Sequence, residues 1–257
     1  MDIVIVSIAA LLASLLTFFS GFGLGTILMP VFAVFFPVEI AIALTGVVHL
    51  LNNLFKMAIV GNYANWRVVL RFGLPAILGA LLGASLLMNF AGSSPFFSYH
   101  IAGRLCEITL VKLLIATLMF AFAIIEILPA YKGLEFSENK LIFGGAISGF
   151  FGGISGHQGA LRSAFLIKCG LSKESFIATG VIIASVIDIS RISIYFTKFK
   201  DIGIAENSTI LIVATLSTFT GAVLGKKLLK KVTIDSVHTA VTVMIVILAI
   251  LLGSGFL

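Results

Sequence analysis

The stretch Gly149-Phe-Phe-Gly-Gly-Ile-Ser-Gly-His-Gln-Gly159 decides how this chain folds. It lies between apolar runs, yet five of its eleven residues are glycine. Glycine at that density breaks a helix or lets two backbones approach closely. In hydrocarbon every backbone polar group must be satisfied internally, so a broken helix survives only against protein or a wet cavity. A companion cluster, Ser20-Gly-Phe-Gly-Leu-Gly25, stands in the first half.

Composition says that the surroundings are a membrane. Of 257 residues, 60% are apolar and 11% charged, with 23 Phe, and the mean hydropathy is +1.18. A globular chain carries about a quarter charged residues. An ordinary soluble domain, a disordered chain and a disulfide scaffold are therefore excluded. The net charge of +6 reads as topology signals beside membrane segments, not as a nucleic-acid surface, because no basic run interleaves with aromatics. The N-terminus has no basic n-region, so the first apolar stretch reads as a retained segment. Cys106 and Cys169 have no metal-ligand spacing, and no Walker loop, dinucleotide fingerprint or H-E-x-x-H appears. Neither a metal nor another cofactor is expected.

Ten apolar segments follow one another, at roughly 3–19, 22–36, 39–60, 68–88, 110–129, 141–153, 158–169, 175–198, 208–226 and 237–256. Those at 22–36, 141–153 and 158–169 are short for a crossing, which needs about 20 residues. A shift of 135 residues lays Ser20-Gly21 on Ser155-Gly156, Glu39 on Glu174, Asn53 on Asp188 and Lys56 on Arg191. Each half reads as a first segment, a glycine break, a short segment and three longer helices. The halves, 1–132 and 133–257, are expected to be repeats within one integral membrane domain. With the 61–67 loop inside, the inside loops collect Arg67, Arg71, Lys132, Lys140, Lys168, Lys173, Lys226, Lys227, Lys230 and Lys231, against Arg104, Lys112, Lys198 and Lys200 outside. That bias follows the positive-inside rule. It puts 61–67 and its counterpart 199–207 on opposite faces, so the repeats are inverted. Both termini are then outside, and the two cysteines lie on opposite faces with no disulfide between them. The fold class is an all-α polytopic transmembrane bundle of two inverted repeats with glycine-broken helices, either re-entrant hairpins or full spans.

Helices starting at the two breaks would point free N–H groups and positive dipole ends at a shared point, which makes an anion site. Ser20, Gly21, Gly23, Ser155, Gly156, His157 and Gln158 are its candidate residues. The competing reading has the glycines serving only tight packing. Among ionisable residues inside the segments, Arg162 must meet an anion, a carboxylate or water. Asp188 and Arg191, three residues apart, can pair on one helical face, with Asn53 nearby. Lys56, near its helix end, reads as snorkelling outward. His157 can donate to an anion or titrate, and His49 reads as a core histidine bonded to a backbone carbonyl. Glu39 and Glu174 read as acids in the first turn of the next helix. Tyr63 and Trp66 fit an interfacial belt.

Ser20-Gly-Phe-Gly-Leu-Gly-Thr-Ile-Leu-Met-Pro30 and Gly149–Gly159, with their spacing and the helices after each, resemble the sulfite exporter TauE/SafE family of membrane proteins. The second copy departs from the family pattern: His157-Gln158 interrupts its glycines and Phe165 stands where proline is expected. The resemblance implies a secondary transporter, often an exporter, of a small sulfur-containing anion such as sulfite, a sulfonate or sulfoacetate. It implies a bacterial or archaeal inner membrane and no enzymatic activity; the sequence is compatible with a homodimer. The alternative is a rhomboid-type intramembrane serine protease, since Gly153-Ile154-Ser155-Gly156 matches a G-x-S-G pattern, with His49 or His238 as the base that Ser155 would need.

Overall fold

A computed structural model describes residues 2–17, 24–101, 103–127, 135–198, 207–228 and 234–257. Among these, the chain forms ten α-helices: α1 (Asp2–Thr17), α2 (Leu24–Ala33), α3 (Val38–Val60), α4 (Trp66–Phe90), α5 (Leu110–Ile127), α6 (Leu141–Ser155), α7 (Gly159–Leu166), α8 (Lys173–Lys198), α9 (Ser208–Leu228) and α10 (Ile234–Gly253). Each apolar segment read from the sequence becomes one helix. α3, α4, α8 and α9 are long and apolar enough to cross a bilayer. The protein is a helical integral membrane protein.

Local chemistry sets the helix ends. Pro37 holds an extended φ of −49° and ψ of 143° immediately before α3, and Glu39 follows in its first turn. Glu174 does the same for α8. The Asn65 side chain caps α4 by accepting the Val68 N–H at 3.2 Å. Twenty-five residues make α4 about 37 Å long, the depth of a bilayer.

The packing inverts the pattern of a soluble helix. On α4, Leu70, Leu74, Leu78 and Leu82 point outward, while Phe72, Ala76 and Ala80 are fully buried. The buried side meets the glycines of α6. Cβ atoms at Gly145, Gly149 and Gly153 would strike the backbone of Phe72, Ala76 and Ala80, and Cβ atoms at Gly79 and Gly83 would strike Ala146 and Phe150. Small residues let the two backbones touch, the usual basis of helix association in lipid. These partners rise together in number, so α4 and α6 run parallel.

The same contacts recur between α1 and α9. A Cβ at Gly221 would strike the Leu11 carbonyl, as one at Gly79 strikes that of Ala146. The Ser14 hydroxyl donates to the Thr218 carbonyl at 2.6 Å, where Gly149 meets the Ala76 carbonyl. Leu11 and Ser14 precede Ala146 and Gly149 by 135 residues, and Thr218 and Gly221 follow Ala76 and Gly79 by 142. Between α3 and α8, Gly46 meets Ile192, His49 meets Asp188, and Asn65, just past α3, meets Thr179. These numbers run in opposite senses, so α3 and α8 are antiparallel.

Two ends of the bundle can be told apart. At one, Arg71 pairs with Glu138 at 3.6 Å, Lys168 pairs with Glu135 at 3.3 Å, and Phe136 stacks on Phe165 with ring centroids 4.2 Å apart. Past the far end of α4, 89–108 is more than the loop expected from sequence. β1 (Phe97–Ile101) and β2 (Arg104–Ile108) form an antiparallel hairpin pairing Tyr99 with Cys106. It packs on the C-terminus: the Tyr99 hydroxyl donates to the Ser254 carbonyl at 2.7 Å, and the Arg104 guanidinium lies 4.5 Å from the centroid of the Phe256 ring. The cysteines are free thiols, Cys106 in β2 and Cys169 beyond α7.

Candidate functional site at the α6–α7 break

α6 ends where Gly156 takes a left-handed φ of 78°, its N–H bonded to the Gly152 carbonyl at 2.9 Å. A side chain is strained there. A Cβ at 156 would also lie 2.7 Å from Arg191 Nη1, so glycine is required twice over. The Gln158 N–H turns back to the Gly156 carbonyl at 3.0 Å, and α7 starts at the next residue. The N–H groups of its first turn have no acceptor within the helix.

Three polar side chains occupy the break. The Ser155 hydroxyl donates to the Phe151 carbonyl at 3.1 Å and accepts the His157 N–H at 3.3 Å. The His157 ring lies parallel to Phe122 and sets Nδ1 3.2 Å from the Ser155 carbonyl. Its Nε2 is buried without a hydrogen-bond partner, as are both amide atoms of Gln158. The break also meets the other half of the chain. A Cβ at Gly25, in the first turn of α2, would lie 3.6 Å from the Gly156 carbonyl oxygen. Thr26, Phe122, Ala123, His157, Gly159, Ala160 and Ile245 line a small, partly open pocket with about the room of one water molecule. The first turns of α2 and α7 thus line one space.

Behind the break stands a buried ionic cluster joining α3 to α8. Asp188 is 0% exposed and Arg191 1%. Arg191 Nε donates to Asp188 Oδ1 at 2.9 Å, and His49 Nδ1 donates to Asp188 Oδ2 at 2.5 Å. The Asn53 amide reaches the same Oδ2 at 3.4 Å. Arg191 Nη1, beside Gly156, has no hydrogen-bond partner. Tyr195, one turn beyond Arg191, donates to the Gly153 carbonyl at 2.5 Å and ties α8 to α6. Asp188 is the one buried carboxylate among the described residues.

Sequence reasoning found most of these groups. Ser155, Gly156, His157 and Gln158 form the break, and Asn53, Asp188 and Arg191 form the cluster behind it. Arg162 lies on α7 one turn past the break, with Nε 3.4 Å from where a Cβ on Gly180 of α8 would sit. Ser20, Gly21 and Gly23 lie outside the described residues. Two expectations are corrected. Lys56 does not snorkel: it is 5% exposed and within electrostatic reach of Arg162. His49 bonds a carboxylate in the other half, not a backbone carbonyl. The glycine cluster also divides: Gly145, Gly149 and Gly153 serve packing, and only 156–158 form the break. Phe122 and Ile245, cavity-lining residues from α5 and α10, carried no sequence signal.

A serine nucleophile would need an imidazole nitrogen on its hydroxyl. Ser155 Oγ instead bonds the Phe151 carbonyl and the His157 N–H; the side chain of His238 lies outside the described residues, and the protease reading has no support.

A helical membrane bundle with a helix broken at Gly156 and buried cations around one carboxylate suits a membrane transport protein. The family model described as "Sulfite exporter TauE/SafE" matches residues 6–252. The chain belongs to this family of membrane anion exporters. No curated protein and no solved structure matches it significantly.

Proposed function

We propose that the chain is a secondary transporter that exports a small sulfur-containing oxyanion (sulfite, a sulfonate or sulfoacetate) by alternating access around a midplane site. The anion binds where the two short helices begin, held by Ser155, Gly156, His157 and Gln158 from one half and by Ser20, Gly21 and Gly23 from the other. Arg162, Asn53, Asp188 and Arg191 complete its surroundings. Residues 1–132 and 133–257 act as inverted repeats. The antiparallel run of α3 and α8 supports the inversion, as do the matched α4–α6 and α1–α9 contacts.

One observation carries the reading: Gly25 meets the Gly156 carbonyl, so the positive ends of α2 and α7 open on one cavity whose His157 Nε2 lacks a partner. An anion satisfies both needs. A negative-inside potential favours its exit by about 2.3 kcal/mol per charge per 100 mV.

Efflux of radiolabelled sulfite from proteoliposomes under a set potential tests this. The protein should carry sulfite or compete it with a sulfonate. His157→Ala should slow efflux about tenfold, the loss of roughly 1.4 kcal/mol of anion binding. No flux of any of these anions, or unchanged flux in His157→Ala, would contradict the proposal.

A further inference from the structure

We propose that Thr45 of α3 is an oxyanion-binding residue, its hydroxyl kept without a protein partner so that it can donate to the transported anion. The inference rests on the transport reading above and adds to it a contact from a third helix.

The tripeptide Thr-Gly-Val occurs once on each of the antiparallel helices α3 and α8, at Thr45-Gly46-Val47 and Thr179-Gly180-Val181. Each glycine makes room for an arginine. Arg191 Nη2 lies 3.3 Å from where a Cβ on Gly46 would sit, and Arg162 Nε lies 3.4 Å from the same position on Gly180. Both threonines are buried, Thr45 at 1% and Thr179 at 0% exposure. Their hydroxyls differ. Thr179 Oγ1 accepts the Asn65 N–H at 2.9 Å, whereas Thr45 Oγ1 has no hydrogen-bond partner.

A hydroxyl inside a helix has a ready acceptor in the carbonyl one turn back. Thr17 donates in this way to Ala13 at 2.7 Å, Ser185 to Val181 at 2.9 Å and Ser190 to Val186 at 2.8 Å. Thr45 does not take the equivalent Ala41 carbonyl. A buried hydroxyl without a partner costs stability, and valine would fill the same space without that cost. The hydroxyl therefore needs another reason to be there.

Its surroundings supply one. Thr45 Cγ2 and the Gly156 carbonyl oxygen lie 3.5 and 3.6 Å from one point, the Cβ position of Gly25. Thr45 thus stands where the first turn of α2 crosses the α6–α7 break. Its neighbour Gly46 touches Arg191, whose Nη1 beside Gly156 also lacks an acceptor. Both oxygens of the nearby Asp188 carboxylate are engaged, by Arg191 and by His49 with Asn53. A cation here would be opposed by Arg191 and by the positive ends of α2 and α7. A small oxyanion at the start of α7 fits: one oxygen accepts from Thr45 while the others meet the first-turn amides.

Equilibrium dialysis of radiolabelled sulfite against the detergent-purified full chain, with thermal unfolding of the same samples, tests the proposal. Thr45→Val keeps the shape and removes the hydroxyl. It should weaken sulfite binding about tenfold, the loss of a hydrogen bond to a charged group, with an unfolding midpoint equal to or above the parent's. Thr45→Ser keeps the hydroxyl and should bind sulfite nearly as the parent does. Thr179→Val strands the Asn65 N–H and should lower the midpoint. Unchanged affinity in Thr45→Val, the result expected if water is the partner, would overturn the role of Thr45 and leave the transport reading standing. So would a Thr45→Val protein that is less stable than the parent or does not fold, because the hydroxyl would then serve the structure. A loss in Thr45→Ser equal to that in Thr45→Val would also overturn it. No sulfite binding by the unmodified protein would overturn both readings.

Discussion

At Gly156 two constraints meet in one residue, a left-handed φ and the Arg191 guanidinium where a side chain would begin. Gly156→Ala should cost about 1–2 kcal/mol in backbone strain and also push Arg191 from its place. Gly170 is the control: its φ is 62° but nothing lies within 4 Å of its Cβ position. Gly170→Ala should lower the unfolding midpoint in detergent yet keep sulfite efflux, and Gly156→Ala should lose both; equal behaviour of the two would sink this reading of the break. Asp188 holds two partners at once, so Asp188→Ala strands a buried guanidinium and an imidazole. The expected loss is about 3–5 kcal/mol, read as a fall in unfolding temperature or in yield of folded protein. An alanine variant as stable as the parent would mean the cluster contributes nothing to the fold. The pairing of Asp188 with Arg191 was legible because three residues on a helix share a face. The bond to His49 was not, because it joins positions 139 apart and no local pattern encodes a tertiary contact. Lys56 misled for a related reason. Closeness to a helix end suggests snorkelling, but the helices packed around α3 leave Lys56 only 5% exposed, and no local pattern contains that packing.

The helices were legible because long apolar runs are the strongest signal a sequence carries; α3, α4, α8 and α9 are of bilayer length and the others are shorter. The hairpin at 97–108 was overlooked, although Phe97-Ser-Tyr-His-Ile and Arg-Leu-Cys-Glu-Ile flank a turn at Gly103, whose φ is 78°. It packs against Ser254 and Phe256, contacts that a local reading does not contain. The glycine run also held two meanings that spacing separates: every fourth residue, Gly145, Gly149 and Gly153, is an interface. Gly149→Val should force α4 and α6 apart at a cost of about 1–3 kcal/mol for overpacking. Gly73→Ala, with nothing within 4 Å, should be neutral or slightly stabilising, since alanine is the better helix former. Thermal unfolding of the pair checks this; a destabilised Gly73→Ala beside an unaffected Gly149→Val would contradict the assigned interface.

For the whole molecule, the account needs two halves of opposite orientation with the Arg71–Glu138 end inside the cell. Cys169 sits at that end, and burial, helped by the nearby Glu138 carboxylate, pushes its thiol up from the usual value. A membrane-impermeant maleimide should miss Cys169 in intact cells and label it in inverted vesicles, slowly at neutral pH and faster as pH rises and the thiolate forms. Ser98→Cys on the hairpin should label from outside. Labelling of both from one side would contradict the topology. The central claim is that α2 and α7 start at a common site and hold an oxyanion there. Its most direct test is anomalous diffraction from crystals of the protein grown with selenite, a heavier oxyanion of the same shape as sulfite. The account predicts a selenium peak within hydrogen-bond reach of His157 Nε2 and the first-turn amides of α7. Peaks confined to the bundle surface, with none between Gly25 and Gly156, would contradict it.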